Sequence, residues 1–199
     1  MPKIVDHDKQ RILVAEAAWR IIRRDGMEQA SVRNIAEEAG ISAGSMRHYF
    51  STQSELLLYA MNLVSEKVSN RIQQLSFSGP PMDNMKLLLL EFMPNTDEKL
   101  AEMEVWYAFT AKSKTDPDLK ALADKVYDEI RQAVATVIMY LVKLDLSRTD
   151  LNKELEIERL YALVDGLSIH AVLRPDQMTA EVMENVLSLH LASLCREER

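Results

Sequence analysis

The sequence predicts an all-α protein of about nine helices. Five of its 199 residues are glycine, and its apolar residues recur at intervals of three and four positions, as they do in helices. The β-branched residues are spread along the chain instead of clustering in alternating runs, so no strand is predicted. The shares of hydrophobic residues, 47%, and charged residues, 28%, are typical of a globular chain and exclude disorder and collagen-like repetition.

Glycine and serine residues mark the ends of the first helices. Gly26 and Gly40 follow apolar helical stripes in the position of C-terminal caps. Ser31 and Ser42 precede short helices in the position of N-terminal caps. The nine predicted helices span residues 9–25, 32–39, 43–49, 52–75, 82–93, 97–114, 117–144, 149–173 and 179–196.

The later helices also carry start and stop signals. Thr52 and Glu55 form the spacing of a capping box at the start of a long fourth helix. The stretch SFSGPP at residues 76–81 is the clearest linker in the chain. Asp116 before Pro117 predicts a helix start, because the carboxylate accepts from free amides and proline at the first helical position loses no hydrogen bond.

Two domains are predicted, with residues 1–52 as a helix-turn-helix domain and residues 53–199 as a helical effector-binding and dimerisation domain. Residues 1–60 contain eight basic and eight acidic residues, so the net charge of -7 falls on the remainder. This asymmetry is compatible with a locally basic N-terminal module on an acidic body, and equally with an ordinary solvated surface.

Several classes of protein are excluded. No apolar stretch approaches the roughly 20 residues of a membrane span, and no secretory signal is readable, so we expect a cytoplasmic protein without a membrane partner. One cysteine and four scattered histidines predict neither a disulfide nor a metal site, and no cofactor is expected. Without a phosphate-binding loop or a nucleophile motif, an enzyme is not predicted either.

The segment from Ser31 to Phe50, SVRNIAEEAGISAGSMRHYF, fits two short helices that cross steeply through a tight turn. Ala36 is small where the helices approach most closely, and Gly40 supplies the positive φ that the turn needs. Side chains such as Met46 fall where a helix-turn-helix buries them. An ordinary helical hairpin within a bundle is the alternative interpretation.

This segment and its flanks resemble the TetR-type repressors. GISAGSMRHYF followed by STQSELLLYAM is similar to the turn, recognition helix and fourth helix of that family, and AAWRIIRRDGMEQASVRNIAEEA is similar to its first two helices. The RHYF ending and the VDGL at residues 164–167 resemble the choline-responsive subgroup. The resemblance implies a homodimer whose N-terminal domains bind double-stranded DNA and whose helical C-terminal domains bind a small-molecule effector.

The recognition helix of such a motif enters the major groove. The predicted DNA-contacting residues are Ser31, Arg33, Ser42, Ala43, Gly44, Ser45, Arg47, His48, Tyr49 and Gln53. Arg47 stands where the family frequently has tyrosine, and Gln53 where it frequently has a phosphate-binding lysine. For Arg33 and His48 a solvated surface position is the alternative to a contact, and for Tyr49 it is a core position with its hydroxyl at a phosphate.

A ligand pocket is predicted in the C-terminal domain from its large, adaptable apolar side chains. The predicted pocket residues are Phe92, Met93, Met103, Trp106, Tyr107, Phe109, Tyr127, Met139 and His170. An ordinary core at helical spacing is the alternative for each of them. The effector is expected to be apolar or amphipathic.

The last two helices are apolar around more than one face, which predicts a partner chain. The predicted dimer-interface residues are Leu163, Gly166, Leu167, Val186, Leu187 and Leu191. Asp165 and His170 are polar members of the eighth helix, for which a buried hydrogen-bonded pair, an interface contact and a ligand group are all open.

The sequence therefore predicts a ligand-responsive DNA-binding transcriptional regulator, a repressor that a small molecule releases from a palindromic operator. The alternative is a helical small-molecule or protein-interaction module without specific DNA binding, which the balanced charge of residues 1–60 and the glutamine at position 53 keep open.

Overall fold

The computed structural model describes residues 7–196, and these residues form nine α-helices and one 3₁₀ turn. The helices are α1 (His7–Asp25), α2 (Val32–Glu38), α3 (Ala43–Met46), α4 (Gln53–Gln74), α5 (Pro81–Leu90), α6 (Asp97–Ser113), α7 (Pro117–Lys143), α8 (Lys153–Leu173) and α9 (Ala180–Ser193). The 3₁₀ turn spans Met27–Gln29. The predicted all-α class is confirmed.

The third helix is shorter than its apolar pattern predicts: it ends at Met46 instead of residue 49. The amides of His48 and Tyr49 bond three residues back, to the carbonyls of Ser45 and Met46. Such bonds tighten the chain into turns beyond the helix. The side chains after Met46 therefore project from a turn and not from a continuing helix.

The last two helices are also shorter than predicted. α8 begins at Lys153 instead of residue 149, because the Asn152 side chain caps it by accepting from the amide of Leu155 at 3.3 Å. α9 ends at Ser193 instead of residue 196, because an isolated antiparallel bridge pairs Cys195 with Ser147. The extended chain needed for this bridge is incompatible with helix.

The described residues divide into two compact units. The first extends through Lys67 and also contains Glu104–Asp124, while the second contains Val68–Met103 and the residues from Lys125 onward. Helices α4, α6 and α7 therefore each contribute residues to both units. The predicted division after residue 52 concerns function, with DNA binding before it and effector binding after it, and it stays a prediction.

In the first unit, glycines end α1 and α2 as predicted. Gly26 has φ +89° and Gly40 has φ +68°, backbone conformations that favour glycine. Beyond α2, Gly40 and Ile41 donate to the carbonyls of Glu37 and Ala36, which is the Schellman arrangement. The buried side chains include Val14, Ala18, Ile21, Ile35, Ala36, Met46, Phe50, Leu56, Leu57, Met61 and Phe109.

The second unit has a continuous hydrophobic core supplied mainly by α5, α7, α8 and α9. Its buried members include Met85, Leu89, Met93, Val134, Ile138, Leu141, Leu160, Val164, Leu167, Leu187, Leu191 and Leu194. Beside this core, Arg71 at the end of α4 forms two hydrogen bonds to the carboxylate of Glu102, at 2.8 and 3.0 Å. The end of α4 is thereby attached to α6 within this unit.

Candidate functional site

Helices α2 and α3 and their connection form a helix-turn-helix. Each short helix is held at its start by a serine, since Ser31 accepts from the amide of Asn34 at 3.2 Å and Ser42 accepts from that of Ser45 at 3.0 Å. Gly40 makes the turn between them, as the sequence predicts. Ile35 and Met46 are fully buried, so each helix has one side packed in the first unit and one side free.

The free side of α3 brings several predicted contact residues together. Ser42, Ala43 and Gly44 are exposed at its start, and Arg47 and His48 are exposed in the turn after it. Ser45 is half-buried, with its hydroxyl 2.9 Å from that of Ser42. The small residues at the start of α3 allow close approach to a DNA backbone. The guanidinium of Arg47, in the turn after the helix, supplies a donor that can form several hydrogen bonds at once.

The exposed arginines of the first unit differ in whether an acidic group neutralises them. Those near the end of α1 are ion-paired: Arg20 with Glu38 at 2.8 Å, Arg24 with Glu38 at 3.0 Å, and Arg23 with Glu104 at 2.6 Å. In contrast, no described carboxylate lies within 4 Å of Arg33 or Arg47. The two arginines of the helix-turn-helix therefore carry positive charge that the described protein does not offset.

Two other predicted contact residues have structural partners. The Gln53 side chain donates to the carbonyl of Ala30 at 2.6 Å, which attaches the start of α4 to the chain just before α2. Tyr49 is half-buried, and its ring lies 5.0 Å from that of His7. Both residues thus help to position the motif, and their predicted contact with DNA stays a prediction.

Sequence reasoning missed one residue that supports the motif from α1. The Arg11 guanidinium lies 4.6 Å from the ring centre of Phe50 and 4.5 Å from that of Tyr59. Cation–π contacts of this kind fix the orientation of the chain after the motif relative to α1 and α4. No spacing signal relates a residue in α1 to rings 39 and 48 positions later.

The predicted pocket residues are divided between the two units. Trp106, Tyr107 and Phe109 belong to the first unit, where the rings of Trp106 and Phe109 stack at 5.8 Å. The second unit contains Phe92, Met93, Met103, Tyr127, Met139 and His170. Met93 is packed in the core, whereas Tyr127, Met139 and His170 are exposed. That these nine side chains line one pocket stays a prediction.

Asp165 lies in a tyrosine environment on α8. The Tyr127 hydroxyl donates to its carboxylate at 3.3 Å, and the ring of Tyr127 lies 5.0 Å from that of Tyr161. Burial raises the pKa of Asp165, and the bond from Tyr127 opposes the shift. Burial also raises the pKa of Tyr161 well above its usual value. Of the three roles open for Asp165, a partly buried hydrogen-bonded group fits these contacts.

His170 is exposed and is not part of this cluster.

Half of the predicted dimer-interface residues face inward. Leu187 and Leu191 are 0% and 1% exposed within the single chain, and Leu167 is also buried in the core of the second unit. These three leucines pack in the core of the second unit within the single chain, and their predicted contact with a partner stays a prediction. Leu163, Gly166 and Val186 are half-buried and keep an accessible side.

Other apolar residues of α8 and α9 face outward instead. Gly166, Ile169 and Leu173 follow one another at helical spacing along one accessible side of α8, and Leu155 lies on the same side three turns before Gly166. On α9, Val182, Val186 and Leu189 do the same. Leu173 and Leu189 are 68% and 73% exposed. A Cβ atom at Gly166 would meet no atom within 4 Å, so this chain's own packing does not require the glycine.

A helix-turn-helix on one compact unit, joined by continuous helices to a second helical unit, defines a helix-turn-helix DNA-binding protein. Among residues 7–196, no helix is both long enough and apolar enough to cross a membrane. Residues 14–60 match the family profile described as bacterial regulatory proteins, tetR family. Residues 81–196 match the profile of the C-terminal part of the BetI-type transcriptional repressor.

Curated relatives match over most or all of the chain. The HTH-type transcriptional regulator PksA of Bacillus subtilis (strain 168) is 46% identical over 199 residues, which covers 100% of this chain and 96% of PksA. The HTH-type transcriptional regulator BetI of Escherichia coli (strain K12 / DH10B) is 28% identical over 180 residues, which covers 87% of each chain.

Solved structures match the fold. A transcriptional regulator from Rhodococcus sp. Rha1 superposes with a TM-score of 0.80 at 26% identity, covering 92% of this chain and 95% of its own. A regulator from Saccharomonospora viridis, solved in complex with choline, superposes with a TM-score of 0.82 at 23% identity, covering 96% and 100%. The second likeness concerns the fold alone.

The chain therefore belongs to the TetR family of bacterial transcriptional regulators, with a C-terminal region of the BetI type. The family resemblance predicted from the sequence is confirmed. The protein is a DNA-binding transcriptional regulator of the repressor type and not an enzyme. Regulators of this family bind DNA operators, form dimers and bind small-molecule effectors.

Proposed function

We propose that this protein acts as a homodimer on a near-palindromic operator and represses transcription until a small-molecule effector binds its second unit. Each protomer inserts α3 into the major groove, and the two α3 helices lie about 34 to 36 Å apart, or one further helical turn. Such a protein acts in the cytoplasm, where the chromosome is accessible.

The observation that carries the DNA-binding part is the uncompensated charge of Arg33 and Arg47. Both side chains are exposed on the helix-turn-helix and have no described carboxylate within 4 Å. Phosphate contacts require cations that the protein has not already neutralised. A net charge of -7 is no obstacle, because the residues that face DNA are locally positive and the excess acid lies elsewhere in the sequence.

The outward-facing apolar side chains of α8 and α9 support the dimer. We define this two-helix surface as the α8–α9 face, consisting of Leu155, Gly166, Ile169, Leu173, Val182, Val186 and Leu189. An apolar face of this kind is stabilised when a second copy covers it around a two-fold axis. The open space at Gly166 lets two backbones approach closely.

A salt-dependent mobility shift tests the proposal on DNA from upstream of the protein's own gene. We expect binding that falls steeply with salt and exceeds binding to a shuffled duplex of the same length. Sedimentation at micromolar protein should give twice the monomer mass of 22.7 kDa. Equal affinity for the two duplexes would contradict specific regulation, and a monomer would contradict the palindromic operator.

A further inference from the structure

A surface groove in the second unit lies between α5, α7 and the linker that joins α4 to α5. Its volume is about 250 Å³. Met85 and Val137 form its buried floor, at 3% and 1% exposure, while Phe77 from the linker and Tyr140 from α7 form exposed walls. None of the nine pocket residues predicted from the sequence lines this groove.

The groove has the chemistry of a site for uncharged molecules. None of its seven lining residues carries a charge. Asn84, a polar member of the lining, is already bonded on both sides, since its amide donates to the carbonyl of Gly79 at 2.9 Å and its oxygen accepts from the amide of Gly79 at 3.2 Å. These bonds attach Gly79 of the linker to the start of α5.

We propose that this groove is the binding site of the effector, and that the effector is an uncharged, mainly apolar molecule with a single ring or a short alkyl chain. The inference rests on the proposed function and adds the place and the chemistry of the ligand to it. The Tyr140 hydroxyl, which has no protein partner among the described residues, accommodates one neutral polar group on such a ligand.

The volume of the groove sets the size of the ligand. A dry cavity of about 150 Å³ holds benzene, and pockets for drug-sized ligands begin at about 300 Å³. At about 250 Å³ the groove lies between these sizes. It therefore suits one substituted ring.

Both walls of the groove belong to chain segments that lead directly into the first unit. Thr136, Val137 and Tyr140 lie on α7, whose first residues up to Asp124 belong to the first unit. Phe77 lies three residues after the end of α4, whose residues up to Lys67 also belong to the first unit. A ligand that displaces the two walls thus acts on both helices.

The first unit holds the starts of these two helices together. The Ser54 hydroxyl in the first turn of α4 donates at 2.8 Å to the carboxylate of Asp116, which caps α7. This bond lowers the pKa of Asp116. A change in the spacing of α4 and α7 at the groove is therefore opposed at the bond between Ser54 and Asp116, and Ser54 lies eight residues after the end of α3. A ligand regulates the protein through these helices only if it contacts the groove differently in the operator-binding and operator-free states.

Calorimetric titration of the full-length protein with 4-alkylphenols, from ethyl to hexyl, tests the binding site. We expect the affinity to rise about fourfold per added methylene until the chain outgrows the groove. The matching 4-alkylbenzoates should bind at least tenfold more weakly, because the groove offers no partner for a charge. Equal binding of phenols and benzoates would overturn the assigned chemistry.

Two variants with matched controls locate the bound phenol. Phe77→Ala removes an exposed wall and should weaken 4-hexylphenol binding about tenfold, whereas Leu87→Ala on the outside of α5 should not. Thr136→Trp fills the groove and should abolish binding, whereas Asp128→Trp, also exposed on α7 but outside the groove, should not. Unchanged affinity for 4-hexylphenol in Phe77→Ala and Thr136→Trp would overturn the inference. Dissociation of the dimer in Phe77→Ala would also overturn it, because the groove would then be covered by a second copy of the chain instead of a ligand.

The regulatory role is tested by repeating the operator mobility shift with saturating 4-hexylphenol. We expect operator affinity to fall at least fivefold, and Phe77→Ala to need about ten times more phenol for the same effect while binding the operator normally without it. Phenol bound in the groove with unchanged operator affinity would overturn the inference and leave the proposed function intact. If the ligand-free protein binds no operator, the proposed function fails together with this regulatory role, and calorimetry still decides whether the groove binds phenols.

Discussion

Arg24 and Arg47 are both exposed arginines of the first unit, but their charges are used differently. The Arg24 guanidinium contacts the carboxylates of Asp25 and Glu38 at 2.8 and 3.0 Å. The hydrogen bonds that the Arg24 guanidinium donates to Asp25 and Glu38 raise the pKa of Arg24. No described carboxylate lies within 4 Å of the Arg47 guanidinium. The Arg47 guanidinium is therefore available to a phosphate or to the O6 and N7 atoms of a guanine.

We expect Arg47→Ala to weaken operator binding by about 1 to 3 kcal/mol and to weaken binding to random DNA less, if the side chain reads a base. Mobility shifts over a range of salt concentrations measure both losses. Arg24→Ala is the control, because its charge is already offset, and it should change neither affinity. An equal loss on the two DNAs, with a salt slope lower by about one, would assign Arg47 to phosphate instead.

The partly buried carboxylate of Asp165 makes stability depend on pH. Because burial raises its pKa in the folded state, this group favours folding while it is protonated. That contribution is present below the ordinary aspartate pKa of about 3.9 and is lost as the pH rises through the raised folded pKa. At neutral pH the folded protein therefore holds a charge that the unfolded chain solvates better.

We expect Asp165→Asn to raise the thermal unfolding midpoint at pH 7, because asparagine keeps an acceptor for the Tyr127 hydroxyl without the buried charge. Unfolding followed by circular dichroism from pH 7 downwards should show the gain narrowing as the wild-type carboxyl group becomes protonated. Asp176→Asn, in the exposed turn after α8, serves as the control. A lower midpoint for Asp165→Asn at pH 7 would contradict this account.

At the scale of elements, buried charges fix the end of α4 in the second unit. Arg71 contacts Glu102 at 2.8 Å and Glu91 at 2.9 Å, and Lys99 contacts Glu91 at 2.9 Å. Glu102 is 7% exposed. Two cations and two carboxylates balance here, so removal of one partner leaves a buried charge without compensation.

We expect Arg71→Met to destabilise the protein by about 3 kcal/mol, because Glu102 then remains buried and charged. Chemical denaturation with urea measures the loss, and adding Glu102→Leu to Arg71→Met should restore part of it. The exposed pair Lys120–Asp124 provides the comparison, since Lys120→Ala should cost about 0.5 kcal/mol or less. Equal losses at the two sites would show that the Arg71 network contributes no more than a surface pair.

The elements differ in how far the sequence predicts them, for physical reasons. The starts of α2, α3 and α7 are predictable, because Ser31, Ser42 and Asp116 cap them through local hydrogen bonds. The inward faces of α8 and α9 are not, because apolar residues surround both helices and periodicity favours no side. Leu187 and Leu189 therefore look alike in the sequence, although one is buried and the other exposed.

The candidate sites show the same limit. The exposed end of α3 is predictable, because the turn, the caps and Arg47 lie within 20 residues. The groove with Phe77 and Tyr140 is not, because residues 63 positions apart come together only through tertiary packing. The pairing of Gln53 with Ala30 was likewise unpredictable, since side chains at such positions choose between a backbone carbonyl and a phosphate by geometry.

At the scale of the whole molecule, the dimer proposed above uses the α8–α9 face. Leu189 and Leu173 are among the most exposed large apolar side chains described. Each loses contact with water when a second copy covers the face, at about 25 cal/mol per Å² of apolar area. A charge placed there would remain unpaired in the interface.

We expect Leu189→Glu combined with Leu173→Glu to produce a folded monomer that no longer binds the operator specifically. Sedimentation reports the mass, and circular dichroism reports the retained helices, since neither side chain belongs to the core. Leu13→Glu on α1, where the leucine is 51% exposed, is the control and should remain dimeric. A dimer that survives the double substitution would place the interface elsewhere.

The first unit is assembled from two separate stretches of chain, and this limits how regulators of this kind can be recombined. Arg23 and Ser54 find their partners, Glu104 and Asp116, in the second stretch. A hybrid made with a single crossover in α4 would combine the helix-turn-helix part of this first unit with α6 and α7 of another protein. The partners of Arg23 and Ser54 would then be retained only if that protein has acidic residues at the same positions. A hybrid that keeps Glu104–Asp124 and exchanges only Val68–Met103 and the chain after Asp124 would replace the second unit and leave the first unit intact.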